Sequence, residues 1–374
     1  MKITIERALL LKSLAHVQSI VEKRNTIPVL SNVRVEAFDN TISLKATDMD
    51  MEITESIEAN ILEEGSITAP AHMLYDIARK LDDGSDVELT YPDSKGQLTI
   101  AAGRSRFSLS TIPAEDFPVI SGDELPNNFS IPTEDLKSLI DRTKFAVSTE
   151  ETRYYLNGIY IHAKMDGEIG VLRAAATDGH RLGCVETSLP KGAENIEGVI
   201  IPRKTISEIR KLIDNVDGEI FVSLSANKIR FAFDGIILTS KLIDGTYPDY
   251  ERVIPKDNDK TLEINVKELA AAVDRVSVIA ERTRAIKIAT SQNKISLSTS
   301  SADAGSAFEE LEAKYDAEPL EIGYNFRYLL DILNEIKGDT VKLTLADGAS
   351  PTVINDTTDS GAVYVLMPMR VVAN

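Results

Sequence analysis

The sequence has 374 residues, of which 43% are hydrophobic and 27% are charged. This length exceeds that of an ordinary single domain, and the composition excludes an intrinsically disordered chain. The formal net charge of -18 argues against an overall basic surface that would grip nucleic acid through its phosphates.

The N-terminal residues enter an alternating strand pattern directly, and no apolar run reaches 18 residues. We therefore expect a cytoplasmic protein without a signal peptide and without a membrane partner. The one cysteine, Cys184, cannot form an intramolecular disulfide. Because it lies beside Val185 and near Leu182 in a strand pattern, we predict that it is a small core residue.

Six short strands, each followed by a helix, are predicted along the chain. The strand patterns are Ile3-Thr4-Ile5, Ile67-Thr68-Ala69, Phe129-Ser130-Ile131, Val199-Ile200-Ile201, Leu262-Glu263-Ile264 and Leu320-Glu321-Ile322. Apolar residues then recur at spacings of three and four, which predicts an apolar stripe on each helix. In the first helix the stripe residues are Leu9, Leu10, Leu14 and Val17. Runs with period-two alternation between the helices predict further strands.

Two short strings recur later in the sequence at the same distance along the chain. Ala46-Thr47-Asp48 recurs as Ala176-Thr177-Asp178, and Phe117-Pro118 corresponds to Tyr247-Pro248. Both displacements are about 130 residues, which is one domain length. Together with the six strand-helix units, they predict an α+β fold of three similar domains, each built from two βαβββ-like halves. We place the domains at residues 1–122, 128–250 and 256–374.

The predicted helices are more basic than the rest of the chain. Their windows carry a net charge of about +7 and leave roughly -25 for strands and loops. The windows are residues 6–24, 71–81, 133–144, 202–213, 266–284 and 324–337. This asymmetry favours a local basic surface. The residues alone leave open the alternative that Lys and Arg are simply good helix formers on solvated faces.

Several longer strings give a resemblance to a known family over essentially the whole chain. They are Arg104-Ser105-Arg106-Phe107-Ser108-Leu109-Ser110-Thr111, Arg153-Tyr154-Tyr155-Leu156-Asn157-Gly158, Ala176-Thr177-Asp178-Gly179-His180-Arg181-Leu182, Ile201-Pro202-Arg203-Lys204, Tyr247-Pro248-Asp249-Tyr250 and Met367-Pro368-Met369-Arg370. In this order they resemble the signatures of the β subunit of bacterial DNA polymerase III, the β sliding clamp. Any one string is weak, whereas the set is specific.

The resemblance implies a fold, an assembly and a function. The expected assembly is a head-to-tail homodimer ring of the DNA-clamp fold, with helices lining the hole and sheets outside. Such a ring is a non-catalytic processivity factor that encircles double-stranded DNA without sequence preference. Its implied protein partners are the replicative polymerase, the clamp loader, other polymerases and repair proteins, which insert peptides with Leu and Phe anchors.

The resemblance also assigns residues to three surfaces. The expected DNA-binding residues are Arg24, His72, Glu150, Tyr154, Tyr155, Arg203 and Lys204; at His72 and Glu150 this chain departs from the basic or neutral polar groups of the best-known pattern. The expected peptide pocket consists of Leu156, Thr177, Gly179, His180, Arg181, Leu182, Pro248, Arg252, Val253, Tyr328, Pro351, Val365, Met367, Met369 and Arg370. The expected dimer interface consists of Arg104, Arg106, Phe107, Leu109, Val278, Ile279, Glu309 and Glu310.

An enzymatic alternative centres on the string Asp178-Gly179-His180-Arg181, which places an acid, an imidazole and a guanidinium within four residues. A general base needs a partner at hydrogen-bond distance, and a turn between two strands would bring Asp178 near His180. No nucleophile elbow, phosphate-binding loop or metal-ligand spacing accompanies this string. We therefore predict no catalytic residues, no metal site and no cofactor, and retain a hydrolase only as a remote alternative.

Overall fold

The computed structural model describes residues 1–23, 25–92, 96–120, 124–166, 169–280, 284–301 and 304–370. Six α-helices lie in these ranges, and each directly follows one of the strands predicted from the sequence. They are α1 Arg7–Gln18, α2 Ala71–Lys80, α3 Thr133–Lys144, α4 Arg203–Leu212, α5 Val266–Ala280 and α6 Phe326–Leu333. The predicted strand-helix unit therefore recurs six times.

The buried face of α1 shows how the apolar stripe works. Leu10, Leu14 and Val17 are fully buried at the spacing that keeps side chains on one side of a helix. Leu9, which we expected on the same stripe, is 44% exposed. The expectation failed there because Leu9 lies one position, about 100° of rotation, away from Leu10.

The strands account for most of the remaining regular structure. In chain order they are β1 Lys2–Glu6, β2 Asn32–Phe38, β3 Thr41–Thr47, β4 Met51–Glu58, β5 Asn60–Glu63, β6 Gly65–Pro70, β7 Asp86–Thr90, β8 Gln97–Ala102, β9 Ser105–Ser110, β10 Asn127–Pro132, β11 Gly158–Asp166, β12 Ile169–Thr177, β13 Arg181–Ser188, β14 Val199–Pro202, β15 Glu219–Leu224, β16 Lys228–Phe233, β17 Ile236–Lys241, β18 Lys260–Asn265, β19 Ala285–Ser291, β20 Lys294–Ser301, β21 Gly305–Glu312, β22 Leu320–Asn325, β23 Thr340–Leu345, β24 Thr352–Asp356 and β25 Asp359–Leu366. Their pairing is antiparallel in every ladder of the described residues.

Each repeat exchanges its leading strands between its two halves. In the first repeat β1 pairs with β7, which follows α2, and β6 pairs with β2, which follows α1. The same exchange joins β10 to β15 and β14 to β11 in the central repeat, and β18 to β23 and β22 to β19 in the third. Each half therefore supplies one strand to a sheet that is otherwise built by the other half.

By their internal contacts, the described residues group into two compact units, each of which combines parts of two repeats. One unit contains residues 1–133 and 207–242, and the other contains residues 134–206 and 243–374. The first holds the sheets β5-β1-β7-β8-β9 and β10-β15-β16-β17-β4-β3-β2-β6; the second holds β14-β11-β12-β13-β25-β24-β23-β18 and β21-β20-β19-β22. The central repeat thus contributes one four-stranded sheet to each unit, because its sheets continue into those of the neighbouring repeats.

Each half of a repeat contains a run of three consecutive antiparallel strands: β2–β4, β7–β9, β11–β13, β15–β17, β19–β21 and β23–β25. The last strand of each run decides how the sheets continue. In the first unit β17 pairs with β4, and in the second β13 pairs with β25, so four such strands are paired with one another. The two remaining strands of this kind, β9 and β21, end their sheets without a neighbour among the described strands. An open strand edge presents unpaired N–H and C=O groups to another chain.

Candidate partner-binding and nucleic-acid sites

The expected peptide pocket is built on a face of the sheet formed by β11, β12, β13 and β25. Leu182 on β13 and Val365 on β25 are directly paired across the ladder, and Leu156 packs into the same buried cluster. The cluster also contains Ala175, Cys184, Ile200, Tyr247 and Tyr250. The structure thus brings together Leu156, Leu182 and Val365 as an apolar floor, although they are distant in the sequence.

Cys184 belongs to this floor, as predicted from its neighbours in the sequence. Its side chain is 5% exposed. Burial raises the pKa of the Cys184 thiol to about 11. The thiol is therefore neutral near pH 7 and packs as a small apolar group.

The turn between β12 and β13 carries the residues expected at one edge of the pocket. The Asp178 carboxylate accepts the backbone N–H groups of His180 at 2.9 Å and of Arg181 at 3.1 Å. The Thr177 hydroxyl donates to the Arg181 carbonyl at 2.7 Å. Gly179 has φ +87°, and a Cβ atom there would lie 2.9 Å from Nη1 of Arg153. Both the backbone angle and the nearby guanidinium therefore favour glycine at this point.

Arg181 joins this turn to α6. Its Nε donates to Asp178 at 3.1 Å, its Nη1 pairs with Asp331 of α6, and its Nη2 donates to the Phe145 carbonyl at 2.6 Å. The guanidinium also lies 4.2 Å from the ring centroid of Tyr328, a cation–π contact. The next ring is His180, whose centroid is 6.1 Å from that of Tyr328. Residues 177–182 and Tyr328 consequently form one fixed wall.

The opposite edge and the rim are exposed. The backbone N–H of Met367 donates to the His180 carbonyl at 2.9 Å, which places the exposed Met367 side chain beside the turn. Met369 is tied by its N–H to the Gly323 carbonyl at 2.8 Å. Other rim positions expected from the sequence are exposed or half-buried: Pro248, Arg252, Val253, Pro351 and Arg370. An apolar floor with methionine, aromatic and cationic groups around it suits a short peptide with apolar anchors.

The sequence interpretation missed two residues of this site. Arg153 contacts the Gly179 position, and the Tyr247 hydroxyl accepts the backbone N–H of Thr177 at 3.0 Å. Both residues stand in strings that carried the resemblance. Their roles depend on a ring hydroxyl and a guanidinium that meet the turn from distant parts of the chain, a contact that no spacing in the sequence reveals.

The expected DNA-binding residues of the second unit lie near one another. Tyr154, whose side chain is 54% exposed, and Tyr155 meet edge to face with ring centroids 5.8 Å apart. The backbone N–H of Arg203 donates to the carbonyl of Asn157 at 3.0 Å, so α4 begins next to the tyrosine turn. The side chains of Arg203 and Lys204 are exposed. Stacking rings beside two exposed cations suit contact with a nucleic-acid backbone.

The two positions that depart from the family pattern have partners within the chain. Glu150 forms an ion pair with Arg153 at 3.3 Å. His72, in the other unit, has its Nε2 2.9 Å from the Val21 carbonyl. Arg24 lies outside the described residues. The local neutralisation of Glu150 means that a DNA phosphate approaching Tyr154 would meet a paired carboxylate rather than a free one.

The expected interface residues lie on the two open strands and at the end of α5. Arg104, just before β9, and Arg106 on β9 are exposed. On the same strand Phe107 is partly exposed, and Leu109 is buried in its own unit. On the other unit, Val278 is 73% exposed and Ile279 is half-buried. Glu309 and Glu310 of β21 already bind Arg275 at 3.1 Å and Lys294 at 2.9 Å within the chain.

Phe308 on β21 is a further residue at this edge that sequence reasoning missed. It is 69% exposed and lies next to Glu309 on an open strand. A large aromatic side chain with this exposure indicates a contact surface, because exposed apolar groups at sheet edges favour association.

The enzymatic alternative finds no support in the geometry of the turn. The carboxylate of Asp178 is occupied by the N–H groups of His180 and Arg181 and by the Arg181 guanidinium. Within the described ranges, His, Cys, Asp and Glu side chains nowhere gather in a group of three that would hold a metal ion. Among the same residues, every helix is too short or too polar to cross a membrane.

Three family models match consecutive parts of the chain. The N-terminal domain of the DNA polymerase III beta subunit matches residues 1–121, the central domain residues 130–249 and the C-terminal domain residues 251–370. These matches cover more than half of the chain and follow the order of the three repeats seen in the fold.

Individual relatives agree with the family models over the full length. The beta sliding clamp of Caulobacter vibrioides is 52% identical over 372 residues, which covers 99% of this chain and 100% of the relative. That of Escherichia coli K12 is 36% identical over the same shares. A crystal structure of the Caulobacter crescentus beta sliding clamp superposes with a TM-score of 0.97 at 52% identity and covers 99% of both chains. A sliding clamp from Bartonella birtlesii bound to griselimycin gives 0.96 at 46% identity, with 99% of this chain and 100% of that chain covered. The chain therefore belongs to the DNA polymerase III beta subunit family, the beta sliding clamps, and is an accessory processivity subunit rather than an enzyme.

Proposed function

We propose that two copies of this chain associate head to tail as a homodimeric ring around double-stranded DNA in the cytoplasm, with the helices towards the hole. We further propose domains at residues 1–122, 128–250 and 256–374. In this assembly the replicative polymerase, the clamp loader and repair proteins dock through Leu- and Phe-anchored peptides. The DNA is held by confinement, so only weak, sequence-independent phosphate contacts are needed.

The observation that carries the dimer is the pair of open edges, β9 and β21. The other strands that end a three-stranded run pair antiparallel with one another, β17 with β4 and β13 with β25. Pairing β9 of one copy with β21 of the next would repeat this rule and leave neither strand open. A twofold arrangement closes after two such contacts.

The side chains of the two edges are complementary. The β9 edge carries Arg104 and Arg106, and the β21 edge carries Glu309 and Glu310. Because both glutamates already have partners within the chain, new ion pairs would replace existing ones and add little free energy. We therefore assign most of the stabilisation to the burial of Phe107 and Phe308, with Val278 and Ile279 adding to it; Leu109, the other apolar residue of the proposed interface, is already buried in its own unit.

The DNA-contacting set proposed for the ring consists of Arg24, His72, Glu150, Tyr154, Tyr155, Arg203 and Lys204. Exposed Tyr154 beside Arg203 and Lys204 supports this set. The peptide pocket proposed for the partners consists of the floor, wall and rim described above. Its support is the convergence of Leu156, Leu182 and Val365 in one buried cluster, with exposed Met367 hydrogen-bonded to the turn beside it.

The test compares retention on closed and cut DNA. Clamps loaded on closed circular DNA should remain bound at salt concentrations that remove ordinary DNA-binding proteins and should be released after the circle is cut, as followed by gel filtration. Equal loss from circular and linear DNA would contradict topological tethering.

A matched pair of variants tests the proposed interface. Phe308→Asp should convert the dimer to a monomer in light scattering and abolish retention on circular DNA. Phe38→Asp changes an equally exposed phenylalanine, at 65%, on β2 and should leave both properties unchanged. A Phe308→Asp protein that remains dimeric would overturn the β9–β21 interface.

A further inference from the structure

A polar cluster lies on the same face of the sheet as the apolar floor of the pocket. Arg173 on β12 donates from Nη1 to Glu251 at 2.8 Å and from Nε and Nη2 to Glu186 at 3.0 and 2.6 Å. Lys164 on β11 also donates to the Glu251 carboxylate. Glu251 belongs to the short 3₁₀ turn Tyr250–Val253, so two cations on the sheet hold this turn by a single carboxylate.

A second contact ties the same turn to the sheet. The Tyr250 hydroxyl lies 2.7 Å from Nε2 of His162, and Nδ1 of His162 lies 3.1 Å from the Ala163 carbonyl. If Nδ1 carries the proton and donates to this carbonyl, then Nε2 accepts the Tyr250 hydroxyl. Burial lowers the pKa of His162, which favours this neutral form near pH 7.

The charge on Glu251 is also favoured by its surroundings. The hydrogen bond from Lys164 is the main cause that lowers the pKa of the Glu251 carboxyl, and the charge of Arg173 acts in the same direction. The carboxylate is therefore ionised throughout the neutral pH range. Arg173, whose side chain is 15% exposed, is held charged by its two carboxylate partners.

The two residues that follow Glu251 belong to the proposed pocket rim. Val253 is 47% exposed, and the Nε of exposed Arg252 donates to the carboxylate of its neighbour Asp249 at 2.7 Å. Both side chains are exposed, so the turn that carries them sets where they extend. Ordering such a side chain on binding costs conformational entropy, and a turn fixed in advance removes part of that cost.

We propose that Glu251, bridged to Lys164 and Arg173, is a positioning residue that fixes the Tyr250–Val253 turn and thereby presents Arg252 and Val253 to a bound peptide. This inference rests on the proposed function of the pocket and adds a residue outside its lining. Glu251 acts through its neighbours in the turn and does not itself touch the peptide.

The experiment is a double-mutant cycle on the full-length protein. The probe is a fluorescein-labelled peptide with Leu and Phe anchors, and its Kd is measured by fluorescence anisotropy. Glu251→Gln keeps the shape of the side chain but removes the charge, so Kd should rise about fivefold. In an Arg252→Ala background the same change should raise Kd by a smaller factor, about twofold, because only Val253 is then left for the turn to present.

A matched control separates positioning from a general loss of an ion pair. Glu263 on β18 accepts a hydrogen bond from Lys314 at 3.0 Å, and Glu263→Gln should leave Kd unchanged. An unchanged Kd for Glu251→Gln, or an equal effect with and without Arg252, would overturn the inference while the pocket stands. Failure of the wild-type protein to bind the peptide would overturn the proposed pocket together with the inference.

Discussion

The turn between β3 and β4 and the turn between β12 and β13 are built in the same way but differ in what surrounds them. In the first, the Thr47 hydroxyl donates to the Met51 carbonyl at 2.8 Å, as Thr177 does to Arg181. Asp48 accepts the N–H groups of Asp50 at 3.0 Å and Met51 at 2.7 Å. The repeated Ala-Thr-Asp string therefore encodes a backbone shape common to both repeats.

The three residues that follow Ala-Thr-Asp differ between the two turns: Met49-Asp50-Met51 in the first and Gly179-His180-Arg181 in the second. The first turn has Met49 where the second has Gly179, and both adopt positive φ, at +79° and +87°. It has buried Met51 where the second has Arg181, which reaches α6. The shared backbone shape thus only connects two strands in the first repeat, whereas in the central repeat it also forms a wall of the proposed pocket. Binding capacity comes from the side chains added to the turn.

The largest effect is expected for Gly179→Ala. An L-residue at φ +87° is strained by about 1–2 kcal/mol, and its Cβ atom would lie 2.9 Å from Nη1 of Arg153, so the guanidinium would have to move. We expect peptide Kd, measured by anisotropy, to rise about tenfold. Met49→Ala, which exchanges one L-residue for another at the corresponding position, is the control and should leave Kd unchanged. Equal peptide affinity for Gly179→Ala and wild type would remove the distinction between the two turns.

A smaller effect is expected for Tyr247→Phe. The first repeat has Phe117 at the position of Tyr247, so this variant gives the central repeat the side chain of the first. It removes the hydroxyl that accepts the Thr177 N–H at 3.0 Å, a loss of about 1 kcal/mol for a part-buried donor. Peptide Kd, measured in the same assay, should rise about fivefold.

The matched control for that hydroxyl is Tyr75→Phe on α2, outside the proposed pocket, which should leave Kd unchanged. If Tyr247→Phe binds the peptide as wild type does, the Tyr247 hydroxyl does not hold the turn in its binding shape. The central turn would then need no support beyond that available to the first.

The turns and the strand-helix units also show which features can be predicted from the sequence. The six strand-helix units follow from local apolar periodicity, and the turn shape follows from Ala-Thr-Asp, because both depend on residues close in the chain. The exchange of leading strands between halves was not predicted, since alternation identifies a strand but not its partner. For the same reason Leu156 and Val365 were assigned to one pocket only through the family resemblance. Tyr247 and Arg153 were missed because they act on a turn that is remote in sequence.

The smallest effect is expected for Met49→Gly. This substitution should stabilise the protein, whereas the variants above should weaken peptide binding. An L-residue at φ +79° costs about 1–2 kcal/mol, whereas glycine costs about 0.5–1 kcal/mol in additional chain entropy. Met49 is 44% exposed, so its side chain contributes little burial that would be lost. We therefore expect a gain of about 0.5 kcal/mol, seen as a slightly higher Tm in calorimetry at constant protein concentration. A lower Tm would mean that the Met49 side chain stabilises its turn by more than the backbone strain. In that case the two turns differ in packing as well as in binding, and glycine in the central turn reflects the approach of Arg153 more than the backbone angle.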